Sequence, residues 1–233
     1  MGKPIATKIY DLYGRFYGAA EIVFRKRLSK ALAAVPFRDG DRVLDIGVGT
    51  GLSLEFYPAN VHVSGIDLSA GMLRQAQRKL AEKAVRGDCR PEATQLIQGD
   101  ALNLPFAANS FDVVLLSHVV TTVPDPTRCL SEAFRVARDQ ATIVLVNHFR
   151  NPYPVISWVE TAIDPICRKL GWRCDLSMEE LLRPAGVSGL ERARDAKGFI
   201  FRIVYLQKRR EGVRLVSLPM PAEREAELGV GRM

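Results

Sequence analysis

From about residue 42 to residue 147, short apolar runs alternate with longer stretches of helical periodicity. That alternation predicts a parallel sheet with crossover helices. Five runs read as strands: 42–47 (RVLDIG), 61–67 (VHVSGID), 94–99 (TQLIQG), 111–117 (FDVVLLS) and 141–147 (ATIVLVN). Each is short, rich in β-branched residues or leucine, and bounded by Gly, Asp or Asn, as strands buried on both faces are. Between them, Ser69 caps a predicted helix over 70–85, with Met72, Leu73, Ala76 and Leu80 on one face and Arg74, Arg78, Lys79 and Lys83 elsewhere. A second helix is predicted over 126–136, with Pro126 in its first turn, where a missing N–H costs nothing. A proline-containing turn at 151–154 leads into a helix ending near residue 170, and 200–207 (IFRIVYLQ) has the character of an added antiparallel edge strand. The fold class predicted is α/β, a doubly wound and mostly parallel sheet with an antiparallel edge strand.

Ahead of the sheet, Ile9, Leu12, Tyr13, Phe16, Ala20, Val23 and Phe24 recur at helical spacing, with Lys8, Arg15, Lys26 and Arg27 off that stripe. Segment 1–35 is therefore expected to be an amphipathic helical lid that packs on the sheet and meets a lipid headgroup surface. Residues 36–218 are expected to form the main domain and 219–233 a polar tail. Composition sharpens this division. The chain has 233 residues, 47% hydrophobic and 25% charged, with a net charge of +7, which excludes a disordered or fibrous protein. Residues 1–30 carry seven basic against two acidic side chains and 192–214 eight against two, whereas the stretch between them is mildly acidic. Basic excess at both ends favours an anionic surface as partner. The run Lys208-Arg209-Arg210 is a second candidate contact with that surface. No run of about 18 apolar residues is present to span a bilayer, and no leader-like h-region opens the chain. Four cysteines without a C-x-x-C pair and three scattered histidines predict reduced thiols and no metal site. The expected location is cytoplasmic, peripheral to the inner face of the membrane.

Candidate chemistry begins where the first strand ends. Gly47, Gly49 and Gly51 alternate in Asp45-Ile-Gly-Val-Gly-Thr-Gly51. This spacing differs from the G-x-G-x-x-G that carries a pyrophosphate to a helix N-terminus, and suits a ligand without phosphates. Asp67 closes the second strand, where a carboxylate can accept both hydroxyls of a ribose. Asp100 follows the third strand, within reach of an exocyclic amine on a base. These landmarks, in this order on this strand pattern, resemble the class I S-adenosylmethionine-dependent methyltransferases over about residues 40–148. The resemblance implies a Rossmann-like sheet with S-adenosyl-L-methionine across the carboxyl ends of the first three strands. It implies ribose on Asp67, adenine near Leu68, Met72, Asp100, Ala101 and Leu102, and the methionine end near Asp45, the glycine loop and Ser117. Many relatives have a Pro-Gly-Gly turn before the fifth strand; here the helix is expected to run on through 135–140 instead.

Further segments narrow the likeness. Gly47-Val-Gly-Thr-Gly-Leu-Ser-Leu54, His118-Val-Val-Thr-Thr-Val-Pro-Asp-Pro126, Val146-Asn-His-Phe149 and Lys169-Leu-Gly-Trp-Arg173 together resemble a bacterial family of phosphatidylethanolamine N-methyltransferases. Quinone-biosynthesis C-methyltransferases share parts of the pattern. The resemblance implies successive methylation of the ethanolamine headgroup toward phosphatidylcholine. The motif of relatives that methylate adenine or amides, Asn-Pro-Pro-Tyr, is missing, so no nucleic-acid partner is expected. Candidate acid–base groups are His118 and His148, on the side of the sheet where ligands bind, together with Tyr17. Tyr10, Tyr13 and Tyr17 are candidates to hold the methylated ammonium by cation–π contact, and Arg150 and Arg202 to grip the phosphate. Two alternatives stay open: an enzyme acting on a quinone precursor or other lipophilic molecule, and a cofactor-binding protein without turnover whose basic ends hold RNA or protein.

Overall fold

The five predicted strands form the parallel half of one eight-stranded sheet. A computed structural model describes residues 18–86, 93–151, 153–169, 171–188 and 201–218. Among these, the strands are β1 (Arg42–Ile46), β2 (His62–Asp67), β3 (Thr94–Gln98), β4 (Phe111–Ser117), β5 (Ala137–His148), β6 (Val187–Ser188), β7 (Phe201–Arg209) and β8 (Gly212–Val216). The helices are α1 (Gly18–Ala33), α2 (Ala70–Arg86), α3 (Pro126–Val136), α4 (Pro154–Lys169) and α5 (Met178–Leu182). Strand order is β3-β2-β1-β4-β5-β7-β8-β6, with β1 to β5 mutually parallel and β7 antiparallel to both neighbours.

Strand alternation divides the core into two layers. Leu44, Ile46, Val114, Leu116, Ile143 and Leu145 face the layer that holds Leu130 and Ala133 of α3. The alternate positions Val43, Val63, Val113, Leu115 and Val144 face the layer that holds Leu28 and Leu32 of α1 and Ala76 of α2. This is the period of two expected of a sheet covered on both faces. The Tyr205 hydroxyl donates to the Ala31 carbonyl at 3.0 Å and ties α1 to β7.

Three expectations change. The predicted antiparallel strand exists, but β8 and then the short β6 lie outside it, so β7 is interior and the antiparallel part is a hairpin. The helix expected to continue through 135–140 stops at Val136, and β5 starts at the next residue. Pairing wins over helix propensity there: Ser110 N–H donates to the Val136 carbonyl at 2.7 Å, Ala137 pairs with Phe111, and the Arg138 guanidinium meets Asp112 at 2.8 Å. A register shift between Phe111 and Val113, with Gln140 at φ 67°, takes up the sharp change of direction. The third concerns Lys208. Its Nζ donates to the carbonyls of Phe134 and Ala137 at 2.8 and 2.7 Å and to Asn109 Oδ1 at 2.9 Å, capping the carboxyl end of α3. Because Thr142 pairs with Gln207, the run 208–210 lies toward the amino-terminal end of β5, away from the carboxyl ends where ligands bind. Cys129, Cys167 and Cys174 are buried free cysteines, and Cys89 lies outside the described residues.

Helix α3 also braces the loop that follows β3. Buried Glu132 accepts from Leu104 N–H at 2.9 Å, and the Arg135 guanidinium donates to Glu132 and to the carbonyls of Leu104 and Phe106. Arg128 adds a bond to the Leu102 carbonyl at 3.1 Å. The Leu104 amide and the carbonyls of Leu102, Leu104 and Phe106 thus find their partners on one helix. Replacing Glu132 with alanine leaves the Leu104 amide without its acceptor and removes the carboxylate from Arg135, which keeps its two carbonyls. Urea denaturation should show a loss of about 2 kcal/mol; a midpoint unchanged from the parent chain would show the loop to be held by other contacts.

Candidate active site

The carboxyl ends of β1, β2 and β3 bring three carboxylates to one rim. Asp67, the last residue of β2, accepts from Gly49 N–H at 2.9 Å through Oδ2 and from Ser69 N–H at 2.8 Å through Oδ1. The glycine loop and the start of α2 are thus fastened to the same side chain. Partial burial raises its pKa, opposed by these two backbone bonds. Each oxygen keeps a second lone pair for an outside donor.

Gly47, Gly49 and Gly51 all have positive φ. A Cβ at Gly51 would lie 2.9 Å from Leu54 Cδ1 and 3.0 Å from Ala76 Cβ, so that glycine allows the loop to pack on α2. At Gly49 a Cβ would meet nothing closer than the Gly47 carbonyl oxygen at 3.9 Å. The loop therefore holds open space on that side, which suits the close approach of a ligand. Beside it Leu68 is 62% exposed, an apolar surface next to the Asp67 carboxylate. Asp100 is exposed and accepts from Leu102 N–H at 2.8 Å, which orients the turn carrying half-buried Ala101 and Leu102. Met72 is buried, with its N–H on Ser69 Oγ at 3.3 Å.

Asp45 is fully buried in β1. Its Oδ2 accepts from Ser53 Oγ and from the Tyr57 hydroxyl, the latter at 2.9 Å, while Oδ1 has no protein partner among the described residues. Burial pushes its pKa up to about 7 despite those two bonds, with nearby Asp67 adding to the rise. A buried carboxylate with one unanswered oxygen fits a cationic ligand group such as the ammonium of a methionine moiety. The open glycine loop, the lone pairs of Asp67, exposed Leu68 and the orphaned Asp45 oxygen together match an adenosyl-methionine cofactor along its length.

A second cluster lies at the ends of β4 and β5. Ser117 ends β4, half-buried, and His118 follows it with φ 56° and its N–H on the Val146 carbonyl at 2.8 Å. The Phe24 ring of α1 lies 4.3 Å, centroid to centroid, from the imidazole. Burial pushes His118 down to about 4, aided by the fields of His148 and Arg27. It is neutral at pH 7. His148 ends β5 with Nε2 3.5 Å from Glu160 Oε1, and Glu160 Oε2 accepts from Asn151 N–H at 2.7 Å. The segments singled out in the sequence converge here: Val119 fills the space over Gly47, Thr121 Oγ1 accepts from Asn147 Nδ2 at 3.1 Å, and Arg173 N–H donates to the Thr121 carbonyl at 2.8 Å.

The substrate candidates are less unified. Arg150 meets Glu180 at 3.4 Å in an open groove also lined by Ser177, Glu179 and Arg183. Arg202 is half-buried on β7, paired with Asn147 near the carboxyl end of β5. Tyr10, Tyr13 and Tyr17 lie outside the described residues. Ser53, Tyr57, Glu160 and Phe24 as a ring over His118 were not foreseen. Ser53 stood within a quoted motif, but nothing in its spacing marked it as a partner of Asp45. No cluster of metal-binding type occurs among the described residues.

Comparison with known proteins agrees with this geometry. A methyltransferase-domain family model matches residues 44–145. A phosphatidylethanolamine N-methyltransferase from Cereibacter sphaeroides is 36% identical over 170 residues, 73% of this chain and 81% of that protein. A demethylmenaquinone methyltransferase from Thermobifida fusca is 30% identical over 175 residues, 75% of this chain and 66% of that protein. Among solved structures, the YcgJ protein of Bacillus subtilis superposes with a TM-score of 0.60 at 25% identity, covering 69% of this chain and 66% of the other. With the glycine loop, Asp45 and Asp67 arranged for the cofactor, the chain belongs to the class I S-adenosylmethionine-dependent methyltransferases.

Proposed function

We propose that this methyltransferase acts on the amine of phosphatidylethanolamine, methylating it in successive steps toward phosphatidylcholine at an anionic membrane surface. The observation that carries the proposal is the histidine cluster: a neutral His118 beside His148, itself backed by the buried carboxylate of Glu160. An amine arrives as an ammonium and must lose a proton before it can attack. Neutral His118 accepts an N–H of the headgroup and aims the nitrogen, and the His148–Glu160 pair takes the proton away from it. The Phe24 ring gives the cation an aromatic face beside His118. Bound S-adenosyl-L-methionine supplies a methyl group already activated on a sulfonium. What remains for the chain is alignment and exclusion of water, and alignment alone is worth up to roughly 7–11 kcal/mol of a barrier.

Arg150 and Arg202 are assigned the phosphate, with the phosphate displacing Glu180 from Arg150. The 36% identity to a phosphatidylethanolamine N-methyltransferase supports the same acceptor. A quinone precursor is the second acceptor to test, because a demethylmenaquinone methyltransferase is 30% identical over a similar span. No helix among the described residues is long and apolar enough to cross a membrane, so contact with the bilayer in this proposal is peripheral.

With methyl-labelled cofactor and vesicles containing phosphatidylethanolamine, thin-layer separation should show mono-, di- and trimethylated lipid in turn. Label found only in demethylmenaquinone would replace the acceptor. Glu160→Gln should lower kcat about 100-fold while leaving the affinity for S-adenosyl-L-methionine within a factor of about two; equal loss of both would mark Glu160 as a structural group.

Asp45 and His118 give opposite pH signatures. The Asp45 carboxyl ionises near 3.8 in the unfolded chain and near 7 in the fold, so folding takes up a proton between those values and stability falls as pH rises through them. His118 binds its proton near 6.5 when unfolded and near 4 when folded, so stability falls as pH drops from 6.5 toward 4. In the cofactor-free protein, Asp45→Asn should raise the thermal midpoint relative to the parent at pH 8 with no gain at pH 4. His118→Gln should raise it at pH 5 with no gain at pH 8. Midpoint differences that do not vary with pH would remove both groups from the proton account.

A further inference from the structure

Helix α4 is built inside out. A helix on the surface of a protein in water turns its apolar stripe inward and its charges outward. Here both carboxylates of the helix, Glu160 and Asp164, are 8% and 6% exposed, and Cys167 completes the buried stripe at i, i+4, i+7. The opposite face carries Val155 at 76%, Trp158 at 72% and Ile166 at 62% exposure, with Val159 and Ile163 between them and Tyr153 just ahead of the helix. Eight large apolar side chains are exposed among the described residues, and six of them lie in this one segment. They form a patch, which scattered surface residues do not.

The buried carboxylates have defined partners. Glu160 is held by Asn151 N–H and His148, and Asp164 accepts from Cys174 N–H at 2.8 Å and is paired with Arg168. Rotating the helix to hide its apolar face would break all of these bonds. The charged side chains left exposed on α4 are Arg168 and Lys169, both cations, in its last turn.

We propose that α4 lies in the headgroup region of an anionic bilayer, apolar face down, as the docking element of the enzyme. An interfacial helix has this composition: aliphatic residues and tryptophan on one face, tyrosine near the boundary, cations at the rim and no exposed acid. A second copy of the chain is a poorer occupant. Sixteen residues make a helix about 24 Å long and 10–12 Å across, so one face offers on the order of 250 Å² against the roughly 800 Å² per partner of a stable protein interface. A depth of about 5–10 Å into the headgroup boundary suffices for a bilayer.

Docking through α4 also sets the position of the site. The residues opposite the apolar face are bonded to His148 and Asn151, at the carboxyl end of β5. A lipid headgroup beside the docked helix is therefore one helix diameter from the histidine cluster. The inference rests on the proposed function only in requiring an acceptor that resides in a bilayer, phosphatidylethanolamine or quinone alike.

The test uses vesicles that contain no acceptor. The chain has two tryptophans, so full-length protein with Trp172→Phe reports on Trp158 alone. Vesicles of phosphatidylglycerol and phosphatidylcholine should shift its emission to the blue, and brominated acyl chains should quench it. The double variant Trp158→Asp, Ile166→Asp should reduce recovery on sedimented vesicles at least tenfold, with S-adenosyl-L-methionine binding by calorimetry unchanged. Unaltered Trp158 emission, or parental recovery of the double variant, would overturn the assignment. So would a dimer in sedimentation velocity that the double variant abolishes, because the face would then belong to a second copy. None of these readouts involves methyl transfer, so a failed lipid-methylation assay leaves them intact.

Discussion

The site depends first on one carboxylate. Asp67 holds Gly49 N–H with one oxygen and Ser69 N–H with the other, and so joins three pieces of chain that are separate in sequence: the loop after β1, the end of β2 and the first turn of α2. A glycine-rich loop has many conformations open to it, and its ordering entropy is correspondingly large. Fixing it from the side chain at the adjacent strand end gives it one shape before any ligand arrives. The same two bonds fix the orientation of the carboxylate. Loop and carboxylate are thereby preorganised together.

Around that anchor the fold places charge in the less comfortable state. Burial makes ionised Asp45 and protonated His118 both unfavourable, so the apo site at neutral pH is less charged than its residue types suggest. Each group is then receptive to a ligand of the right sign: Asp45 to a cation that restores its charge, His118 to a donor that needs a neutral acceptor. Perturbed groups of this kind gather at functional sites because strength of interaction and discomfort of the free state have one cause, the low polarity of the surroundings.

Most of the parallel sheet was legible because it obeys local rules. β1 to β5 are apolar runs closed by Gly, Asp or Asn, and Asp45, Gly47, Gly49, Gly51, Asp67 and Asp100 stand at strand ends that those runs define. What could not be read was set by tertiary approach. Ser53 and Tyr57 reach Asp45 from 8 and 12 residues away, and no periodicity encodes that meeting. Glu160 and Asp164 sit in a helical pattern whose natural reading puts carboxylates in water, and only their backbone partners explain why they turn inward. The helix predicted across 135–140 failed because strand pairing with Phe111 outweighs helix propensity at Ala137. β8 is five residues behind a basic run, and β6 is two residues long, too short for any pattern.

Lys208 gives the topology an order of assembly. The carboxyl end of α3 passes into β5 without a loop, and the carbonyls exposed at that junction are answered by a side chain more than seventy residues later on β7. β5, in turn, has β7 along its outer edge from Thr142 to His148. The span that carries the cofactor landmarks is therefore not self-sufficient: its last strand and one helix end are completed by the returning hairpin. Closing such distant pairs is slow relative to local helix formation. During synthesis the cofactor half of the sheet stays open-edged until the hairpin emerges, and its completion is a late event in the life of each chain.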